Sequence, residues 1–218
     1  MPDSTLSPQV TKGAIVGVDP FKPLASVVIF QYNPDAMTRS VKPRYLEGDA
    51  SKSEVLRLNG APEETIKVDV EIDATDQLET GDGLAEALGI YPQLSALEML
   101  AYPASATVIA NTVLMLTGSL EIIPPSGAFA LFVWGPQRVL PVRVNELSIA
   151  EEMYDTALNP IRAKVSLDLK VLSYNDLPVT HPGYYVFLAH QVTKEVFANM
   201  NIANTVRQLA GGQLPIPT

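Results

Sequence analysis

The sequence predicts a mainly β domain, a sandwich or a barrel, with one principal helix and a partly helical C-terminal tail. Three observations lead to this fold class. Two long segments alternate strictly between apolar and polar residues, one internal region has apolar residues at helical spacing, and the alternation stops after Pro178.

The alternation is clearest in residues 65–73 and 161–171. Strands of this kind bury one face and expose the other, which is typical of antiparallel sheets. Both apolar faces therefore need one shared core. They consist of Ile66, Val68, Val70 and Ile72 in the first strand, and of Ile161, Ala163, Val165, Leu167, Leu169 and Val171 in the second.

Shorter apolar runs predict three further strands, at residues 14–18, 27–32 and 128–134. Residues 138–149 also alternate, but the pattern changes parity near Asn145 and Glu146. One extra residue there would form a β-bulge and keep a single strand. An equally simple interpretation is that one strand ends at this point and another begins.

The principal helix is predicted within residues 84–103. Pro92 is suited to a helix start, Leu94, Leu97 and Leu100 form an apolar face, and Pro103 ends the segment. The pattern leaves open whether residues 89–92 break the helix or only bend it.

Residues 104–125 carry one charged side chain, Glu121, and are predicted to form a hairpin that turns at Thr117-Gly118-Ser119. So apolar a hairpin must be covered, either by its own domain or by a partner. The two interpretations are equally supported by the pattern. In the second, the candidate assembly interface is Val108, Ile109, Val113, Leu114, Met115, Leu116, Leu120 and Ile122.

The tail after Pro178 is expected to contain a helix within residues 184–209, with Val192, Val196 and Met200 at helical spacing. Because its apolar residues do not match the strand pattern, we expect the tail from His181 onward to dock on a neighbouring subunit. The predicted organisation is an N-terminal arm with the first strand (1–24), the β domain (25–178) and the tail (179–218).

Composition argues against several functions. The net charge of −9 disfavours nucleic acid and anionic membranes as partners, and no apolar run reaches the length of a membrane span. The N-terminus lacks the pattern of a signal peptide. There is no cysteine, and the two histidines are nine residues apart. We therefore expect no enzyme, no metal and no cofactor.

Individual residues with possible chemistry have simpler interpretations. His181 is expected to be a turn residue beside Pro182, and His190 an ordinary helix surface or interface residue. The pair Asp73 and Asp76 is expected to lie in a polar turn at a strand end rather than in a cation site. A second acidic group is expected to be a solvated face: Glu151, Glu152 and Asp155.

Five segments, taken in order, resemble the tube-type domain of contractile injection systems, which are phage-tail-like particles with a sheath, an inner tube and a baseplate. The resemblance spans roughly residues 25–178. The segments are Phe30-Gln31-Tyr32-Asn33-Pro34 followed by Arg39; the strand 66–75; Gly89-Ile90-Tyr91-Pro92-Gln93-Leu94-Ser95-Ala96-Leu97-Glu98; Phe132-Val133-Trp134-Gly135; and Asn159-Pro160-Ile161-Arg162-Ala163.

The resemblance implies a tail-tube-like sandwich or barrel in a baseplate hub protein. It implies a ring, of six copies, that adapts the spike to the inner tube and initiates tube assembly. The implied partners are further copies, the spike protein, the inner tube protein and other baseplate proteins, and the particle would assemble in the bacterial cytoplasm. Many relatives continue into a LysM module, whose opening motif is missing here.

Two other functions fit the same sequence. One is a terminator or cap ring at the other end of such a particle. The other is a β-sandwich module that binds a carbohydrate or small ligand, which would need exposed aromatic residues around a groove. The chain has only one tryptophan, Trp134, within an apolar run.

Overall fold

The computed structural model describes residues 12–19, 22–30, 32–46, 56–117, 127 and 129–209, and its framework is one seven-stranded antiparallel sheet. The strands lie side by side in the order β2-β1-β5-β6-β7-β4-β3. Their bounds are β1 Ala14–Asp19, β2 Lys22–Ile29, β3 Met37–Lys42, β4 Glu63–Asp73, β5 Phe129–Val133, β6 Val139–Tyr154 and β7 Pro160–Val171. The mainly β class is confirmed.

The two strongly alternating segments are β4 and β7, and they pair directly, with Val70 opposite Val165. Their apolar faces point to the same side and are buried, apart from the half-buried Ile161. The prediction that both strands share one core is confirmed. Alternation in the sequence predicts these two strands correctly because each strand exposes one face to water and buries the other.

The parity change in the 138–149 segment is a β-bulge. β6 runs unbroken from Val139 to Tyr154, and its register against β7 shifts between Val144 and Glu146. The extra residue, Asn145, keeps Val144 and Leu147 on the side that packs against the core.

Two short strands differ from expectation. β3 has no strong apolar alternation, and its six residues were not predicted as a strand. β2 extends from Lys22 to Ile29, so the predicted boundary at residue 24 falls inside a strand of the main sheet. Within the described residues, β2 and β3 are the two edges of the sheet.

The chain forms five helices in the described ranges, and three of them follow β4 and cover one end of the core. Gly89 separates the second from the third, because its φ of 58° is left-handed and a Cβ there would lie 2.1 Å from the carbonyl oxygen of Pro160. The predicted principal helix is therefore broken at this point. The three helices are α1 Thr75–Glu79, α2 Gly83–Leu88 and α3 Tyr91–Glu98.

The predicted hairpin of residues 104–125 is wrong in its first half, because Ser105–Leu116 form a helix, α4. This segment has no charged residues to mark a side that faces water, so the strand and helix patterns cannot be separated there. Leu120 and Ile122, and the centre of the predicted turn, lie outside the described residues.

The last helix, α5, spans Pro182–Leu209, as expected for the tail. Its first half packs on the chain's own sheet against β6, where Phe187 is 5% exposed. The ring of Tyr174 meets that of Phe187 edge to face, with centroids 5.7 Å apart. The expectation that the whole tail from His181 docks on a neighbour is therefore wrong for this half.

Candidate assembly surfaces

Helix α4 is the most unusual surface of the chain. It carries no charge, none of its side chains is buried, and Met115 and Leu116 are 65% and 83% exposed. Val108, Ile109 and Val113 are exposed as well, whereas Leu114 is half-buried. Six of the eight residues predicted as an assembly interface thus lie on one apolar helix that the described part of the chain leaves uncovered.

The part of α5 from Val192 onward offers another apolar surface. Val192, Val196 and Met200 are all exposed, as are Phe197 and Ile202 beside them. The three predicted tail-contact residues therefore remain available to a partner, although the first half of the helix is held on its own sheet. Exposed apolar surface of this extent is typical of protein–protein contact sites.

The segments that carry the family resemblance have structural roles. The side-chain oxygen of Asn33 accepts a hydrogen bond of 2.9 Å from the backbone N–H of Gly13. A Cβ on Gly13 would meet Phe30 and Trp134 at less than 3 Å. Trp134 stacks on Phe132 with ring centroids 5.8 Å apart, so the single tryptophan packs at the edge of the core.

The residues around Gly89 and Pro160 form a second structural contact. The backbone N–H of Ile90 donates to the carbonyl of Pro160 at 2.8 Å. The side-chain nitrogen of Asn159 donates to Asp155 at 2.8 Å and to the carbonyl of Ala87 at 3.3 Å. Two segments that are separate in sequence thus dock the helical layer onto the start of β7.

A cationic basin with a cavity of about 270 Å³ lies at the other end of the sheet. Glu64 has the same parity along β4 as the buried Ile66, so its carboxylate points inward and is 2% exposed. Arg39 from β3 binds it at 2.7 Å, and Lys194 from α5 binds it at 3.2 Å. The basin is lined by Arg39, Trp134, Gln137, Arg138, His190, Thr193, Lys194 and Phe197.

The charges of the basin do not cancel. Burial alone would raise the pKa of Glu64, but the positive charges of Lys194 and Arg39 outweigh it, and the pKa is lowered. Burial, together with the charge of Arg39, lowers the pKa of Arg138. Three permanent cations thus surround one carboxylate, which leaves an excess of positive charge.

His190 lies in the same basin and is only 8% exposed, so of its two expected roles, helix surface or interface residue, the surface role is wrong. Its Nδ1 lies 3.2 Å from the carbonyl oxygen of Gln137, and its Nε2 is buried with no partner among the described residues. Burial, with the charge of Lys194, lowers the pKa of His190. The ring is therefore neutral near pH 7, with Nδ1 as the donor.

His181 is a turn residue, as predicted. It precedes α5, and its Nδ1 accepts a hydrogen bond of 3.1 Å from the backbone N–H of Gly183. Its ring packs edge to face on Phe129 at 4.6 Å. His181 therefore helps to fix the start of the helix.

Two of the acidic residues singled out in the sequence, Asp73 and Glu152, form ion pairs within the chain. Asp73 accepts hydrogen bonds from Thr75 and binds Arg162 at 2.5 Å. Glu152 binds Lys164 at 2.7 Å. Across the described ranges, no group of three or more His, Asp and Glu side chains is placed to hold a metal ion.

Replacing Glu64 with Gln is expected to lower the free energy of unfolding by about 2–3 kcal/mol, because Arg39 and Lys194 lose the charge that binds them. The pKa of Glu64 is lower in the folded chain than its ordinary 4.5. Its stabilising effect is therefore present above that value and is lost as the pH falls through the folded pKa.

Urea unfolding of both proteins across acidic pH values tests this expectation. The difference between wild type and Glu64→Gln should be full at pH 7 and should shrink as Glu64 becomes protonated. Glu146→Gln, at an exposed position without an ion pair in the described part of the chain, is the matched control. A difference that persists unchanged at low pH would contradict the ion-pair explanation.

The search for helices able to cross a membrane found none within the described portion of the chain.

Comparison with known proteins gives little further information. No family model matches the chain, and no curated protein matches it. Among solved structures, one similar chain belongs to the tail of an empty GTA particle with C6 symmetry, at 9% identity and a TM-score of 0.25. The match covers 73% of this chain and 90% of that one. A likeness this distant carries no argument about what this chain does.

Proposed function

We propose that this chain is a structural baseplate component of a phage-tail-like contractile injection system. It forms a ring, of six copies, that adapts the spike to the inner tube and starts tube assembly, and it acts without catalysis. The baseplate role rests on the sequence resemblance of residues 25–178. The assembly role rests on α4, the observation that carries the proposal.

A lone subunit leaves α4 in an unfavourable state. The helix has no buried side chain and no charged residue, so its apolar surface is exposed to water at a free-energy cost of about 25 cal/mol for each Å². A second subunit or a neighbouring ring that covers α4 would remove this cost. The exposed half of α5 adds a further surface of the same kind.

The sheet also favours a ring. Its two edge strands, β2 and β3, are unpaired on their outer sides in the described part of the chain, and Val27 and Ile29 at the β2 edge are exposed. Unpaired strand edges readily join strands of another chain. Copies arranged around an axis would cover these edges by continuing the sheet from one subunit to the next.

Native mass spectrometry of the purified protein tests the ring. We expect a closed oligomer of six copies, and electron microscopy with added inner tube protein should show tubes that grow from it. A monomer at every concentration would contradict the proposal. Cryo-EM of whole particles distinguishes the ends, because density at the end opposite the spike would identify a terminator ring instead.

A further inference from the structure

Acidic and basic residues are concentrated in different parts of this chain, both along the sequence and along the sheet. Residues 74–117 contain Asp76, Glu79, Asp82, Glu86 and Glu98 but no Lys, Arg or His. This segment includes α1, α2 and α3, which follow the C-terminal end of β4 and contact the start of β7 at Pro160. We call this region, defined by these five carboxylates, the acidic end.

The cationic basin lies at the opposite end of the same strand. Glu64, which Arg39 and Lys194 of the basin bind, is the second residue of β4, and Asp73 is the last. Nine residues of extended chain separate them, which corresponds to roughly 30 Å. Lys42, the last residue of β3, lies opposite Glu63 and adds a further cation at this end.

The unpaired charges have opposite signs at the two ends. Within the described residues, Lys42 and the guanidinium of Arg138 form no ion pair, nor do the exposed Glu86 and Glu98. The basin also contains the buried Nε2 of His190, which has no partner there.

The rim of the basin indicates a protein rather than a free anion. Phe197 is 48% exposed at the rim, and it continues into the apolar face of α5. Aromatic side chains and arginine beside apolar surface are typical of the centres of protein interfaces. The acidic end has a comparable apolar surround, with Leu88, Met99 and Tyr102 exposed beside its carboxylates.

We propose that the cationic basin of one copy binds carboxylates at the acidic end of a second copy, so that copies join head to tail. A contact between two different surfaces of one chain closes into a ring if its rotation permits. The inference rests on the proposed ring and names the surfaces through which its subunits meet. The surplus cations around Glu64 and the unpaired Glu86 and Glu98 are the complementary charges.

Two charge-reversed variants test the contact. The basic-end variant is Lys42→Glu with Arg138→Glu, and the acidic-end variant is Glu86→Lys with Glu98→Lys. Each variant has like charges at both ends, so each alone should remain monomeric at concentrations where the wild type is fully assembled. A 1:1 mixture should form rings in which the two variants alternate, which native mass spectrometry resolves by mass.

The matched control is Asp69→Lys with Glu146→Lys, which changes the net charge by as much as the acidic-end variant. Both positions are exposed and lie in the middle of their strands, away from the two ends. This control should assemble like the wild type. Raising the salt to about 0.5 M should dissociate the wild-type contact, because screening at that ionic strength acts within a few ångströms.

Three results would overturn the inference, and they differ from a failure of the proposed function. Rings formed by either variant alone would show that the two ends do not meet, while the ring itself would stand. A mixture that stays monomeric would show the same. A wild type that never oligomerises would refute the proposed ring, and this contact with it.

Thermal melting of each variant checks that the fold is intact. If the basic-end variant melts early, Lys42→Gln with Arg138→Gln replaces it, since removing the charges without reversing them keeps repulsion from Glu64 low. The neutral variant should weaken assembly at least about tenfold and lose most of its salt dependence. Unchanged assembly of the neutral variant would overturn the inference.

Discussion

Replacing Val165 with Asp is expected to unfold the domain. Val165 is fully buried in the middle of β7, between Val70 of β4 and Ile149 of β6. An unpaired buried charge costs at least about 3–5 kcal/mol, beyond the lost apolar contacts. Because whole domains are stable by only about 5–15 kcal/mol, this one substitution removes much or all of the margin.

Circular dichroism and urea unfolding measure the effect. The control is Ser148→Asp, which places the same charge one residue along on the exposed face of β6, opposite Ser166. The control should change the free energy of unfolding by less than about 0.5 kcal/mol. A Val165→Asp protein with wild-type melting would show that this face of β7 is not in the core.

Replacing Leu114 and Leu116 together with Asp is expected to abolish assembly while the monomer stays folded. No side chain of α4 is buried, so the two charges meet no apolar interior in the lone subunit. In a covered interface the same charges would be desolvated without partners, which is the costliest change an interface can undergo. We therefore expect complete loss of rings and tubes.

Size-exclusion chromatography and melting of the same sample separate the possible outcomes. Ser105→Asp with Thr112→Asp is the control, because it adds the same charge at exposed polar positions of the same helix. Rings that survive the leucine replacements would exclude α4 from the contact. An unfolded monomer would show instead that α4 packs on its own domain.

Part of the charged basin could be predicted from the sequence. Glu64 lies two and four residues before Ile66 and Val68, which predicts that its side chain points inward at the start of β4. Phe187, His190 and Lys194 lie at helical spacing, three and then four residues apart, and this stripe packs on the sheet. Both signals are present in the sequence, but the expectation for the tail rests on Val192, Val196 and Met200.

The sequence alone predicts the strands β4, β6 and β7, because alternate burial of side chains leaves a direct record in alternate residues. It leaves open whether the parity change at Asn145 is a bulge or a strand end, and only the pairing of β6 with β7 shows that it is a bulge. Alternation does not predict the structure of Ser105–Leu116, because this segment has no charged residues to show which side faces water. In the structure the segment is a helix. The sequence leaves open whether residues 89–92 break or only bend the helix, and the close approach of Pro160 to Gly89 decides that the helix is broken.

Tertiary structure alone brought Arg39, Glu64, Arg138 and Lys194 together, from four elements far apart in the chain. Sequence shows that the middle of the chain is acidic, but the sheet decides that this segment and the cationic basin lie at opposite ends of one strand. Electrostatic attraction depends on the distance between charges in space and not on their separation in sequence. The residues that form a charge cluster can therefore be identified only after the strands have paired.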